Sequence, residues 1–170
     1  MAHTVTFKGQ AKNLVGPQLK AGDAAPEFEC VAAGLEVKTL ASTPKKARLF
    51  SVVPSLDTPV CSAQTKKFDE SIGALKDAVA CYTVSLDLPF AQGRFCTMEK
   101  VANMQNLSDV RNHSFGKNYG VLLEGLPLPL LARAVFVVDK NNKISYAEYV
   151  SEVTNHPDYE KALAALKAAQ

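Results

Sequence analysis

The stretch Ala47-Arg48-Leu49-Phe50-Ser51-Val52-Val53-Pro54-Ser55-Leu56-Asp57-Thr58-Pro59-Val60-Cys61 decides the fold. Its apolar run Leu49, Phe50, Val52 and Val53 reads as a buried strand, and beyond it Phe68, Ile72, Leu75 and Val79 recur at helical spacing. Cys61 therefore lies where a strand gives way to a helix. With Thr58 as N-cap, Pro59 takes the first helical position, where its missing N–H costs nothing and its fixed φ suits the helix. Cys61 then falls in the first turn, where backbone N–H groups lack intrahelical partners and the helix dipole presents its positive end. A thiolate is favoured there over a thiol. The competing reading of the position alone is an inert core cysteine.

Working outward, a strand over Ala47 to Val53, a helix over Ser62 to Ala80 and a β-rich run from Val79 to Leu86 make a βαβ unit with a parallel strand pair. Upstream, residues 4 to 16 alternate around Val5, Phe7, Leu14 and Val15 with Gly9 at a turn, which predicts an N-terminal hairpin. Phe28, Cys30 and Val31 suggest a short strand. Downstream, Pro89 opens a helix carrying Phe90, Phe95 and Cys96. A short strand is expected at Asn106 to Val110, a helix at Ser114 to Tyr119 ending at Gly120, and a loop from Val121 to Leu130. Ala134 to Asp139 and Lys143 to Val150 pair around Lys140-Asn141-Asn142, and a last helix covers Asp158 to Ala169. The order predicts an α/β domain of thioredoxin-like type. Cys30 and Cys81 read as core side chains.

At 170 residues the chain fits one well-buried domain, residues 1–170, rather than two. A net charge of +2, without a basic run, argues against a nucleic acid or an anionic membrane as partner. The first residues lack the basic segment and apolar core of a secretory signal, and Gly125, Pro127, Pro129 and Arg133 interrupt the best candidate span. A cytoplasmic location is expected. In that setting four cysteines point to redox catalysis or metal binding more than to a structural disulfide framework. Structural zinc is a weak reading, because the cysteines have no paired short spacing and His3, His113 and His156 are scattered.

Three blocks carry a family resemblance. Pro54, Thr58 and Cys61, spaced Pro-x-x-x-Thr-x-x-Cys, resemble the peroxidatic motif of the peroxiredoxins. Asp87-Leu88-Pro89-Phe90-Ala91-Gln92-Gly93-Arg94-Phe95-Cys96 is similar to the resolving-cysteine segment of their atypical two-cysteine branch, the thiol peroxidases. Leu131-Ala132-Arg133-Ala134-Val135 resembles the strand that carries the family's active-site arginine. The likeness runs over nearly the whole chain, and the added N-terminal hairpin is similar to that of this branch. Neither a Val-Cys-Pro site nor Gly-Gly-Leu-Gly nor a Tyr-Phe tail is present, so the intersubunit disulfide of the dimer-bridging branch is not expected.

The resemblance implies a thioredoxin-like fold and a peroxidase that needs no cofactor. It makes Cys61 the nucleophile, Cys96 the resolving thiol, Thr58 and Arg133 its activating groups and Pro54 a shield against water. An ordinary thiol, with a pKa of ~8.5, is mostly protonated at neutral pH, whereas a helix N-terminus and a cation can bring it to ~3.5 to 7.5. Thr58 is expected to accept a backbone N–H as the cap while its hydroxyl proton points at sulfur or peroxide oxygen. Without the resemblance, Arg133 would read as a charged strand end reaching solvent. Hydrogen peroxide and alkyl or lipid hydroperoxides are the implied substrates, thioredoxin the implied reductant and a homodimer the implied assembly, with Phe90 and Leu128 as candidates for an apolar entrance. Two rivals stand beside it. A thioredoxin-type oxidoreductase would normally carry Cys-x-x-Cys, which Ser62, Ala63 and Gln64 do not supply; a peroxide-sensing switch would use the same Cys61 and Cys96.

Overall fold

In this computed structural model, residues 3–75 and 77–170 are described. The chain begins with β1 (Thr4–Phe7), β2 (Gln10–Val15), β3 (Glu29–Val31) and β4 (Val37–Thr39), followed by β5 (Ala47–Val52). Helix α1 (Pro59–Ile72) leads to β6 (Val79–Ser85), α2 (Pro89–Glu99), β7 (Gln105–Ser108), α3 (Ser114–Asn118) and β8 (Leu122–Leu123). The hairpin β9 (Ala134–Val138) and β10 (Ile144–Tyr149) and the helix α4 (Tyr159–Ala168) complete it.

Seven strands form one sheet in the order β10-β9-β5-β6-β7-β3-β4. The βαβ reading is borne out: β5 and β6 pair in parallel from Ala47 opposite Val79 to Val52 opposite Val84. β7 extends the parallel set beyond β6, while β9 runs antiparallel on the other side of β5. Both β5 and β6 are buried along their whole length, so successive residues feed two cores. Leu49, Cys81, Val135 and Val137 pack with Phe68 and Ile72 of α1 and Ala162 and Leu166 of α4. Phe50, Val52, Tyr82, Val84 and Phe136 pack with Phe28, Phe115 and Tyr119. Each such side chain contributes about 1.5 to 3 kcal/mol, and together they fix the register of β5.

The N-terminal hairpin is present as expected, with Thr4 opposite Asn13 and Phe7 opposite Gln10. It forms a second sheet, β1-β2-β8, through antiparallel pairing of Leu14 and Val15 with Leu123 and Leu122. The reading of Val121 to Leu130 as loop throughout is thus corrected. The turn residues Gly125, Pro127 and Pro129 lie beyond the strand, and Leu122 and Leu123 are free to pair. The helix expected to reach Ala80 stops at Ile72, continues as a 3-10 turn over Gly73–Leu75, and yields to β6 because Val79 and Ala80 pair with β5. β4, which carried no clear sequence signal, completes the edge by pairing with β3.

Gly120 fixes where α3 stops. Its φ of 66° lies in the left-handed region, and a Cβ there would sit 1.8 Å from the Pro17 carbonyl oxygen. Gly120→Ala is expected to lower stability by about 2 to 4 kcal/mol, from left-handed strain and overpacking together. Urea unfolding of the two proteins checks this; equal midpoints would mean that Pro17 gives way without cost.

Candidate active site

Strand β5 delivers the chain to the loop Pro54 to Thr58, and that loop is fastened to the neighbouring strand through Asp87. The Asp87 carboxylate accepts the Ser55 hydroxyl at 2.7 Å, the Leu56 N–H at 2.8 Å and the Ser85 hydroxyl at 2.8 Å. The sheet itself therefore sets the place where α1 begins. Thr58, extended at φ −112° and ψ 148°, occupies the N-cap position, with Pro59 opening the helix as the sequence predicts. Its side chain does not accept a backbone N–H of the helix, which corrects the capping expectation. The Thr58 hydroxyl instead donates to the Ser55 carbonyl at 2.8 Å, and its own N–H donates to the same oxygen at 3.1 Å. Closing this tight turn uses the proton expected to point at sulfur.

Cys61 lies in the first turn of α1 and is fully buried, at 0% exposure. Arg133, just before β9, is 2% exposed, so it does not reach solvent. Its guanidinium divides its donors three ways. Nη2 donates to Cys61 Sγ at 3.4 Å, Nη1 to Gln64 Oε1 at 2.9 Å and Nε to the Val153 carbonyl at 2.7 Å. Among the described residues no carboxylate oxygen lies within ion-pair distance of it. A cation held this way, beside a sulfur at a helix N-terminus, offers N–H donors to that sulfur and to oxygen bound next to it.

The other three cysteines are held up by burial. Burial pushes Cys30 up strongly, with Asp109 adding to the effect, and burial pushes Cys81 up to about 12. Both are buried, in keeping with their reading as packing. Cys96 is raised mainly by burial, against a lowering contribution from the Asn106 side-chain amide, whose Nδ2 donates to its Sγ at 3.0 Å. Cys61 and Cys96 are both free thiols on separate helices, and Phe95, beside Cys96, packs against the cluster of Val53, Leu56 and Cys61. Cys96 thus rests as a thiol, one residue from a contact with the candidate nucleophile's surroundings.

A cavity of about 430 Å³ lies beside this centre, with walls that include Phe7, Pro54, Thr58, Val60, Leu130, Arg133 and Val153, while the fully buried Cys61 does not line it. Pro54, Thr58 and Arg133, separate in sequence, thereby share one space. Phe90 and Leu128, proposed for its entrance, are 69% and 55% exposed and do not line it. The apolar wall comes from Phe7 and Leu130 instead. Sequence reasoning also missed Gln64. It is buried, with its Nε2 donating to Ser51 Oγ at 2.7 Å, and the signal available was a polar residue three positions after Cys61 on the buried side of α1. The Val153 carbonyl left no such signal, since a backbone oxygen carries no residue preference.

Comparison with known proteins places the chain in a family. The Redoxin family model matches residues 20–163. The thiol peroxidase of Halalkalibacterium halodurans is 54% identical over 98% of this chain and 98% of its own length. That of Bacillus subtilis is 51% identical over 96% of each. A crystal structure of a peroxiredoxin-like protein from Aquifex aeolicus superposes with a TM-score of 0.92 at 42% identity, covering 100% of this chain and 99% of that one. The expected thioredoxin-like fold is borne out.

Because Gln64 is neutral, it orients Arg133 without cancelling its charge. Gln64→Glu places a carboxylate against the guanidinium in the same space and should reduce the alkylation rate of Cys61 at pH 7 by about ten-fold, the worth of one close charge pair. An unchanged rate in the folded variant would show that the free charge of Arg133 is not what matters to the sulfur.

Proposed function

The chain belongs to the redoxin family and is a peroxiredoxin-type peroxidase, and from that premise we propose that Cys61 is its nucleophile, Cys96 its resolving thiol and thioredoxin its reductant. The observation that carries the reading is the Arg133 Nη2 donor 3.4 Å from Cys61 Sγ, with both side chains buried. The Cys61 thiolate attacks the outer peroxide oxygen; an S–O bond forms, the O–O bond breaks, and the departing oxygen takes a proton to leave as water or an alcohol. Arg133 stabilises charge on both the sulfur and the departing oxygen, which a planar guanidinium does better than an ammonium. Thr58 and Pro54 border the peroxide, and Pro54 limits the access of water. Hydrogen peroxide and alkyl or lipid hydroperoxides are the substrates, a range supported by the apolar wall of Phe7, Val60, Leu130 and Val153.

The resulting Cys61 sulfenic acid reacts with Cys96, forming an intrachain disulfide and releasing water. A disulfide requires Cα atoms within about 7 Å, so the segment around Cys96 rearranges first. Its fastenings suggest the limits of that movement. Gln92, the buried residue of α2, donates to Ser85 Oγ at 3.0 Å and to the Leu107 carbonyl at 3.1 Å. Beyond the helix, the Asp69 carboxylate of α1 accepts the N–H of Ala102 at 3.1 Å and of Met104 at 2.9 Å. Between these anchors residues 93 to 100 are exposed or half-buried, and this is the stretch that unwinds. Thioredoxin then reduces the disulfide by two electrons. Residues 1–170 act as one domain, as a homodimer in the cytoplasm.

Cys61→Ser should abolish peroxide reduction in a folded protein, because serine cannot form the thiolate. Cys96→Ser should still be oxidised at Cys61 in a single turnover, while thioredoxin-dependent recycling nearly stops and the sulfenic acid becomes trappable. Peptide mapping of wild type after stoichiometric peroxide should link Cys61 to Cys96 within one chain. A link to Cys30, Cys81 or a second subunit would overturn the resolving assignment and leave the nucleophile standing.

A further inference from the structure

The carboxylate of Glu152 gathers more donors than its place in a surface turn requires. It accepts the Thr6 hydroxyl at 2.7 Å, the N–H of Lys8 and of Gly9 at 3.0 Å each, and the Thr154 hydroxyl and N–H at 2.8 and 3.1 Å. Three of these five donors belong to the N-terminal hairpin and two to the turn after β10. Around it, the Thr6 N–H donates to the Ser151 carbonyl at 2.7 Å and the Val153 N–H to the Thr6 carbonyl at 2.8 Å. The next atom along this path is the Val153 carbonyl, which accepts Arg133 Nε at 2.7 Å.

We propose that Glu152 is a positioning residue for the active site: it latches the N-terminal hairpin onto the turn 151–154 and so fixes the Val153 carbonyl that aims Arg133 at Cys61. The proposal rests on Cys61 and Arg133 being the reacting pair. Two features show that the latch is held firmly. Lys8 and Gly9 both have positive φ, 51° and 76°, the pattern of a two-residue hairpin turn that favours asparagine and glycine. Lysine there is strained, and its N–H is secured by Glu152. The same contacts, with the Thr6 hydroxyl foremost and then the Gly9 N–H and Thr154, hold the Glu152 carboxyl down at about 2, so it is ionised throughout the neutral range.

An arginine fork works only in one orientation. Nη1 and Nη2 are both committed, to Gln64 and to Cys61, and the third contact, at Nε, sets the plane of the group. If the 151–154 turn is released, the Val153 carbonyl drifts and the fork rotates away from sulfur. The effect reaches hydrogen peroxide as well as larger substrates. Loss of the cavity wall that Phe7 and Lys8 form would by itself affect bulky substrates alone.

The test compares Glu152→Ala, Glu152→Gln and Thr6→Val in the full-length protein, with Arg133→Ala as benchmark. The pH dependence of Cys61 alkylation and the single-turnover rates with hydrogen peroxide and cumene hydroperoxide are measured on each. Glu152→Ala should shift the alkylation curve towards higher pH and slow both peroxides by about ten-fold, with circular dichroism unchanged, as expected for misorienting a reacting group. Thr6→Val should do so more weakly, and Glu152→Gln, which keeps one acceptor oxygen but turns an NH2 towards the donors that faced the other, should recover only part of the loss. Wild-type alkylation and hydrogen peroxide rates in folded Glu152→Ala overturn the proposal, even if its melting temperature falls. So does a loss confined to cumene hydroperoxide. If Arg133→Ala also leaves both readouts at wild-type values, the reacting pair itself is wrong; if only Glu152→Ala does, the latch alone is.

Discussion

A buried guanidinium with no carboxylate partner among the described residues governs this structure. Taking a cation out of water costs several kcal/mol after relaxation, and the cost is offset only where its donors are satisfied and an opposite charge is near. Arg133 has a carbonyl and an amide oxygen on two sides and a sulfur on the third. The sulfur alone can become an anion. On the proposed reading the Cys61 sulfur balances that charge, and the neutral Gln64 orients the guanidinium without competing for it.

Each element of the fold can be understood by what it contributes to that arrangement. The two-sided burial of β5 fixes the height of the loop that starts α1, and Asp87 ties that loop to the end of β6. β9 places Arg133 opposite it, since Val52 pairs with Ala134, the next residue along. Gln64 reaches the arginine from the same helix that carries Cys61, supported from below by Ser51 of β5. The hairpin β1 and β2 comes from far away in sequence to brace the turn beyond β10. Helix α2 stands apart from this rigidity. Its large apolar residues Phe90 and Met98 face solvent, while its Phe95 packs against Val53, Leu56 and Cys61.

The sequence made the central βαβ unit, the β9 and β10 hairpin and the last helix legible, because their apolar residues repeat with a period of two or of nearly four. It placed Thr58, Pro59 and Cys61 correctly along the first turn, and the motifs brought Arg133 to them. What it did not reveal was governed by contacts rather than by periodicity. The Thr58 hydroxyl, expected to point at sulfur or peroxide oxygen, donates to the Ser55 carbonyl, a backbone acceptor that carries no residue preference. Residues 73 to 80 fit helix and strand alike until Val79 found Ala47. Leu122 and Leu123 were hidden among turn residues because a two-residue strand has no period of its own. Glu152 looked like any surface glutamate; its donors lie mostly in a segment more than 140 positions away.

The most direct test of this account is the titration of Cys61 itself. In a background with Cys30, Cys81 and Cys96 replaced, thiolate absorbance in the ultraviolet can be followed against pH for the native arginine and for Arg133→Lys. Lysine keeps the charge but loses the planar fork, so the Cys61 thiolate should form at higher pH and the rate with hydrogen peroxide should fall with it. Superimposable titration curves and equal rates would contradict the account, because they would mean that the guanidinium geometry around the sulfur is incidental to its reactivity.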